Sequence, residues 1–200
     1  SGIAQQIARN PGVPEQSKVM LETIIDEVDK SASRLGHFMT FAKQRELHAV
    51  RLDIQRLIAR IVEILQPEFD AAGVALGVDC APSTIVADED MVRQILINLL
   101  LNSLQASPEG GRVDVRMERQ GATGSLVVAD GGSGISKELL PDIFKPYVAG
   151  NPGGHGLGLA IVKRFVEDHG WMIKADSQGN RGAVITISGI ELVEGDRGRR

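Results

Sequence analysis

Two glycine-rich segments, Asp130–Gly134 and Gly153–Leu159, place the strongest constraint on the fold of this 200-residue chain. The first ends an apolar, strand-like run with a carboxylate that opens a tight turn. The second opens a stretch predicted to be helical as far as His169, so its free backbone N–H groups and the positive end of the helix dipole can receive an anion such as phosphate. Glycine turns before helices are common, and this one matches neither a P-loop nor a dinucleotide fingerprint.

The helix predicted over 89–106 carries two asparagines, Asn98 and Asn102, which are four residues apart and therefore share a face. Asparagine is a poor residue for a helix interior, yet both lie among leucines. The spacing alone leaves two interpretations equally open: the amides cap backbone or face solvent, or they form a site. In the second case their oxygens can ligate a hard cation such as Mg²⁺. Together with the glycine segments, the pair predicts a nucleotide site.

Composition excludes several classes of protein. A formal net charge of −4 gives no electrostatic reason to expect nucleic acid as a partner. The single cysteine, Cys80, excludes an internal disulfide and a multi-cysteine metal site. No apolar run is long enough to cross a bilayer and no signal peptide is visible. We therefore expect a cytoplasmic chain without membrane contact, and any membrane anchor of its parent protein would lie upstream.

Two domains are expected from the pattern of apolar residues. In residues 1–46 these recur every seven positions in two series, at Leu21, Val28, Leu35 and Ala42 and at Ile25, Ala32 and Met39. This a/d pattern is typical of a helix in a bundle or coiled coil, and it predicts part of a helical hairpin that ends in a polar hinge at 43–50. Residues 47–193 form the second domain, and 194–200 form a tail.

The second domain combines helices and strands that do not strictly alternate. Helices are predicted over 53–69, 89–106 and 157–169, and strands over 74–79, 84–87, 112–117, 125–129, 171–175 and 183–188. This order favours an α+β fold in which helices cover one face of a single sheet, a two-layer α/β sandwich.

The motifs resemble, in their order and separations, the nucleotide-binding boxes of bacterial two-component sensor histidine kinases. The segment Asn98–Asn102 resembles the N box, Asp130–Gly134 the G1 box (DxGxG), Phe144–Pro146 the F box and Gly154–Leu159 the G2 box (GxGLGL). Related ATPases of the gyrase and MutL type share the asparagine and glycine boxes. They are not expected to carry the Phe box followed so closely by GLGLAIVKRF. The resemblance implies the ATP-binding sandwich of these families.

The resemblance also implies ATP and Mg²⁺ as cofactors and a role for individual residues. Asn102 would ligate Mg²⁺, and Asn98 would help to hold the phosphates. Asp130 would accept a hydrogen bond from the adenine amino group, which selects ATP over GTP; taken alone, a carboxylate before glycine is more typical of an Asx turn. Backbone would approach the nucleotide closely at the glycine boxes, at Gly132 and Gly134 beside the base and ribose and at Gly154, Gly156, Leu157 and Gly158 beside the phosphates.

The implied activity is transfer of the γ-phosphoryl group of MgATP to a histidine on a dimeric helical hairpin, and from there to an aspartate on a response regulator. The family's phosphoacceptor box has no match here, and Ser1–Ile3 resembles the residues just after it. We therefore expect no catalytic residue and no autophosphorylation in this chain. The alternative is a degenerate, non-catalytic module for dimerisation or signal relay. A hydrolytic ATPase of the same superfamily is disfavoured. Such ATPases carry a glutamate as general base one turn before the ligating asparagine, and Arg93–Ile95 holds no carboxylate.

Some positions depart from the family pattern. The segment Tyr147–Gly153 is short, as in the NtrB-like branch, but has Ala149–Asn151 where that branch has Thr-Thr-Lys, so a lysine expected near the γ-phosphate is missing. His155 stands where many members have threonine, and it either contacts phosphate or lies in solvent. Trp171 replaces a usual glycine and is predicted to pack in the core. His169 ends a predicted helix, where a cation would suit the dipole.

Overall fold

The computed structural model describes Pro14 and residues 16–21, 23–25, 28, 46–81, 83–148, 156–177 and 182–193. The chain divides into two compact units, Ser1–Gln44 and Arg45–Arg200. In the first unit residues 16–21, 23–25 and 28 are helical, with Leu21 and Ile25 partly buried and Val28 exposed. The remaining positions of the predicted a/d pattern lie outside the described residues, so the helical hairpin stays a prediction.

The second unit is built, within its described residues, on a mixed seven-stranded sheet. Its strands are β1 (Val50–Asp53), β2 (Ala75–Cys80), β3 (Thr84–Ala87), β4 (Arg112–Gln120), β5 (Thr123–Asp130), β6 (Met172–Ser177) and β7 (Ala183–Val193). The order is β1-β3-β7-β5-β4-β2, with β6 also paired to β7. Strands β2 and β4 run parallel and the other pairs antiparallel. This order brings the end of β5 beside the start of β7, where Ala129 pairs with Val184.

Three helices of the described chain cover this sheet: α1 (Ile54–Ala71), α2 (Glu89–Ala106) and α3 (Gly158–Asp168). Helix α1 packs on β1 and β2, α2 on β4 and β5, and α3 on β6, while α2 also lies against both other helices. Each helix carries apolar residues at a spacing of three and four, which α1 buries at Ile54, Leu57, Ile58, Ile61, Leu65 and Phe69. The predicted α+β two-layer sandwich is confirmed.

The helices differ in how their first turns are capped. The side chain of Asp53 accepts from the N–H of Arg56 at 3.0 Å at the start of α1. The side chain of Asp88 accepts from the N–H groups of Asp90 and Met91 at 3.0 and 3.1 Å at the start of α2. No side chain caps α3, which follows Leu157. Its first backbone donors therefore remain available to a ligand.

Local sequence patterns were misleading at several strands. Strand β1 was not predicted, because only Leu52 of its residues is buried and the segment before it is polar. Hydrogen bonding to β3 stabilises this short strand, whose own residues carry too weak a pattern to predict it. Strands β4, β5 and β7 also extend beyond their predicted ends. Exposed polar residues continue β4, whereas the extension of β7 buries Ile190. No helix in the described residues is long and apolar enough to cross a membrane.

Candidate functional site

The two asparagines of α2 lie against the start of α3. A side-chain Cβ built at Gly158 would stand 3.5 Å from Oδ1 of Asn98 and 3.6 Å from Nδ2 of Asn102. Asn98 is 6% exposed, and its Nδ2 has no hydrogen-bond partner among the described residues. A buried donor left unpaired destabilises the folded state by about 1–3 kcal/mol. This amide therefore indicates a binding site whose ligand would accept its hydrogen bond. The structure brings the predicted pair together with the second glycine segment.

The backbone before α3 requires glycine. Gly156 has a φ of 63°, and a Cβ there would lie 2.5 Å from the carbonyl carbon of Tyr147 and 2.6 Å from the nitrogen of Val148. The N–H of Tyr147 donates to the carbonyl oxygen of Gly156 at 2.9 Å. This bond attaches the segment before α3 to the residue that follows the Phe box. The uncapped N–H groups of α3 form a site for an anion. Gly154 and His155 lie outside the described residues.

Asp130 ends β5 and is held by backbone on one side only. Its Oδ1 accepts from the N–H of Gly132 at 3.0 Å and from the N–H of Ala183 at 3.2 Å. Within the described part of the chain Oδ2 has no partner. Two fixed donors thus set the orientation of the carboxylate and leave its second oxygen able to accept a hydrogen bond from a ligand. Oδ1 therefore forms an Asx turn with Gly132, and Oδ2 takes no part in that turn.

The loop after Asp130 packs on the last turn of α2. The N–H of Ser133 donates to the carbonyl oxygen of Ala106 at 3.2 Å, and a Cβ at Gly132 would overlap that oxygen. Gly134 has a φ of 71°, a conformation that favours glycine. Ala106 lies one helical turn beyond Asn102. The loop, the asparagine pair and the start of α3 are therefore gathered around the C-terminal half of α2.

A second junction joins the opposite ends of α2 and α3. The N–H of Asp88 donates to Nε2 of His169 at 3.0 Å, and Nδ1 of His169 lies 2.7 Å from the carbonyl oxygen of Phe165. The ring of His169 therefore links the end of α3 to the residue that caps α2. The ring stacks on Trp171 with centroids 4.3 Å apart, and Trp171 is buried as predicted. The two helices run antiparallel and are joined at both ends.

Sequence reasoning missed both this junction and the hydroxyl of Ser177. That hydroxyl accepts from the N–H of Ile135 at 2.8 Å and donates to the carbonyl oxygen of Gly182 at 2.8 Å. A serine near the end of a strand carries no signal of such a role. Its partners are 42 and 5 residues away, so only the folded chain reveals them.

Other reactive groups lie outside this constellation. Burial, with Asp53 and Asp79 nearby, raises the pKa of the Cys80 thiol to about 11. Such a thiol stays protonated at neutral pH and is a poor nucleophile. No group of three or more His, Cys, Asp and Glu that could hold a metal ion occurs in the described residues. The polar atoms around α2 remain the candidate site.

Comparison with known proteins identifies the class of this fold and site. The family model described as "Histidine kinase-, DNA gyrase B-, and HSP90-like ATPase" matches residues 87–192, which include α2, the Asp130 loop and α3. The sensor histidine kinase ZraS of Escherichia coli (strain K12) is 29% identical over 189 residues. These residues cover 93% of this chain and 40% of ZraS.

Two solved structures of histidine kinases share the fold. Full-length ShkA in complex with AMPPNP has a TM-score of 0.79 and 24% identity, covering 97% of this chain and 43% of that one. ThkA in complex with the response regulator protein TrrA has a TM-score of 0.75 and 21% identity, covering 95% of this chain and 56% of that one. At these identities the likeness concerns the fold alone.

The chain belongs to the family of histidine kinase-, DNA gyrase B- and HSP90-like ATPases. Within that family it is the ATP-binding core of a two-component sensor histidine kinase. Because it spans 40% of the length of ZraS, the activity and partners of the whole protein are matters for proposal.

Proposed function

We propose that this chain binds MgATP around the C-terminal half of α2 and presents its γ-phosphoryl group to a histidine on a helical hairpin. The observation that carries the proposal is the side chain of Asn98. Its Oδ1 lies beside the uncapped start of α3, and its buried Nδ2 lacks a partner in the described chain. An amide donor and free helix N–H groups at one place are suited to phosphate oxygens.

The residues present fit the nucleotide and its metal. Asn98 and the start of α3 would hold the phosphates, and Oδ2 of Asp130 would accept from the adenine amino group. Asn102 would hold Mg²⁺, because an amide supplies a hard oxygen without adding negative charge beside the triphosphate. Phosphates and water would complete the metal's shell, which agrees with a site that offers few protein carboxylates. When bound, the metal neutralises charge that develops on the transferred group.

The remaining steps follow from the family and extend beyond this chain. The phosphoryl group would pass to a histidine on the dimeric hairpin to which residues 1–46 belong, and then to a response-regulator aspartate, in the cytoplasm where ATP is available. The fold shared with ThkA, which was solved with a response regulator, supports this partner. Positioning and charge stabilisation carry most of the catalysis in such transfers, so a core without its own nucleophile is consistent with the activity.

Calorimetry with MgATP, MgADP and MgGTP tests the proposal. We expect adenine nucleotides to bind in the micromolar range and MgGTP at least about tenfold more weakly, since the oxo group of guanine cannot donate to Asp130. In D130N the amide can donate to guanine, so the preference for MgATP should shrink or reverse. D79N, which changes an exposed aspartate on β2, is the matched control and should bind as the wild type does. No heat with any adenine nucleotide would refute the proposed function.

A further inference from the structure

The hydroxyl of Ser177 joins the two segments that hold Asp130. It accepts from the N–H of Ile135, at the far end of the loop that follows Asp130, and it donates to the carbonyl oxygen of Gly182, which immediately precedes β7. Both distances are 2.8 Å. Gly182 has a φ of 85°, and a Cβ there would overlap the carbonyl oxygen of Asp130. Backbone of the two segments is therefore in direct contact.

The same two segments meet at Asp130 itself. Its Oδ1 accepts one N–H from the loop, that of Gly132, and one from β7, that of Ala183. Asp130 and Ser177 thus form two successive links between the loop and the start of β7. If the outer link opens, the donors on Oδ1 can separate, and the direction of the carboxylate is no longer fixed.

Two further hydrogen bonds of the loop, within the described residues, join backbone groups. The N–H of Gly131 donates to the carbonyl oxygen of Arg112 at 3.1 Å, and that of Ser133 to Ala106 at 3.2 Å. These bonds hold the loop on β4 and α2, on the side away from β7. Toward β7 the described loop is held by two side chains, those of Asp130 and Ser177.

We propose that Ser177 is a positioning residue for recognition of the nucleotide base, which fixes the Asp130 carboxylate by fastening its loop to the start of β7. The inference rests on the proposed function, because it concerns the base that Asp130 would bind. Ser177 acts through Asp130 and does not itself contact the ligand. Its loss should weaken binding of the base while the phosphate contacts at α3 remain.

Affinities of MgATP and MgGTP, measured by calorimetry for three variants, test this role. S177A should lower MgATP affinity about threefold to tenfold, the loss expected for one hydrogen bond, with little change for MgGTP, so that the ratio of the two affinities falls. S177T retains the hydroxyl and should restore the ratio. T123V changes a residue at the far end of β5 and removes a hydroxyl that donates to the carbonyl oxygen of Gln120. This variant should leave both affinities unchanged.

The outcomes separate this inference from the proposed function. Wild-type protein that fails to bind MgATP refutes the function, whereas wild-type binding with an unchanged ratio in S177A overturns the role of Ser177 alone. Equal weakening of both nucleotides in S177A would also overturn it, since that result indicates general destabilisation. Hydrogen exchange in the wild type gives a measurement independent of variant folding. Exchange of the Ile135 amide should slow at least about threefold on saturation with MgATP, and an unchanged rate contradicts the proposal.

Discussion

At the scale of single residues, a buried amide nitrogen of Asn98 and one carboxylate oxygen of Asp130 have no partner among the described residues. The two cases differ in their effect on stability. Oδ2 of Asp130 belongs to a partly buried group, whereas Nδ2 of Asn98 is fully buried. The unpaired amide of Asn98 therefore lowers the stability of the folded chain, and hydrogen bonding to a bound phosphate would offset that loss.

Replacing Asn98 with leucine, N98L, should separate stability from binding. Leucine has a similar size and no polar atoms, so the free energy of unfolding without nucleotide should rise by about 0.5–2 kcal/mol. Binding of MgATP should be lost. Urea unfolding and calorimetry on the same preparation measure the two effects. N102L is the matched change on the same face of α2. Asn102 has no unpaired buried atom among the described residues, so N102L should not stabilise the chain. This variant should weaken Mg²⁺-dependent binding. A fall in stability for N98L would contradict the proposed cause.

At the scale of elements, α2 and α3 are joined at both ends by different means. At the nucleotide end Gly158 allows α3 to approach Asn98 and Asn102. At the other end Asp88 caps α2, donates its N–H to His169, and accepts the N–H of His48 at 3.1 Å. Asp88 is 3% exposed, so these bonds are shielded from water. One buried residue thus connects α2, α3 and the segment that leads into β1, through its carboxylate and its backbone N–H.

Removing the imidazole in H169L should destabilise this junction. The N–H of Asp88 loses its acceptor in a shielded position, so we expect a loss of about 1–3 kcal/mol in the free energy of unfolding. H169Q offers an acceptor of similar reach and should lose less. Trp171, the one tryptophan of the chain, stacks on His169, so its fluorescence follows unfolding directly. H48L changes an exposed side chain and serves as the control. Equal stability of H169L and H48L would show that the junction contributes nothing.

At the scale of the whole molecule, the second unit brings into one place segments that are far apart in the chain. Asn98, Asp130 and Gly158 come from α2, β5 and α3, and Ala183 comes from β7. None of these segments could form the site alone, because each supplies only one or two polar groups. The proposed nucleotide site is therefore a property of the assembled sheet and its helices.

Supplied with the full helical hairpin of its parent on a separate polypeptide, this chain should transfer label from radioactive ATP to the hairpin's histidine. The chain alone should remain unlabelled. N151K, which places a cation where the related branch has lysine, should raise the rate by stabilising charge on the γ-phosphoryl oxygens. Acid-labile label on the chain alone would contradict the assignment of the acceptor. Proven MgATP binding without any transfer would favour a degenerate, non-catalytic module.

Much of the second unit could be predicted from local patterns. The bounds of α2 agree with the prediction, since Asp88 is a good N-cap and the apolar residues of 89–106 repeat at helical spacing. The asparagine pair and Asp130 were found because each breaks a local rule, with polar residues inside an apolar helix or at the end of an apolar strand. Strand β1 and the outer ends of β4, β5 and β7 were missed, because their short local patterns are weak and pairing with other strands of the sheet holds them.

The sequence by itself determined most of the helices and strands of the second unit, and it singled out the polar residues of the proposed nucleotide site. The physical reason is that periodicity, caps and glycine turns act over a few neighbouring residues. The tertiary structure decided the order of the sheet, the parallel pairing of β2 with β4, the junction of His169 with Asp88 and the link made by Ser177. Each of these depends on groups that meet only after distant parts of the chain have packed, so no local pattern could specify them.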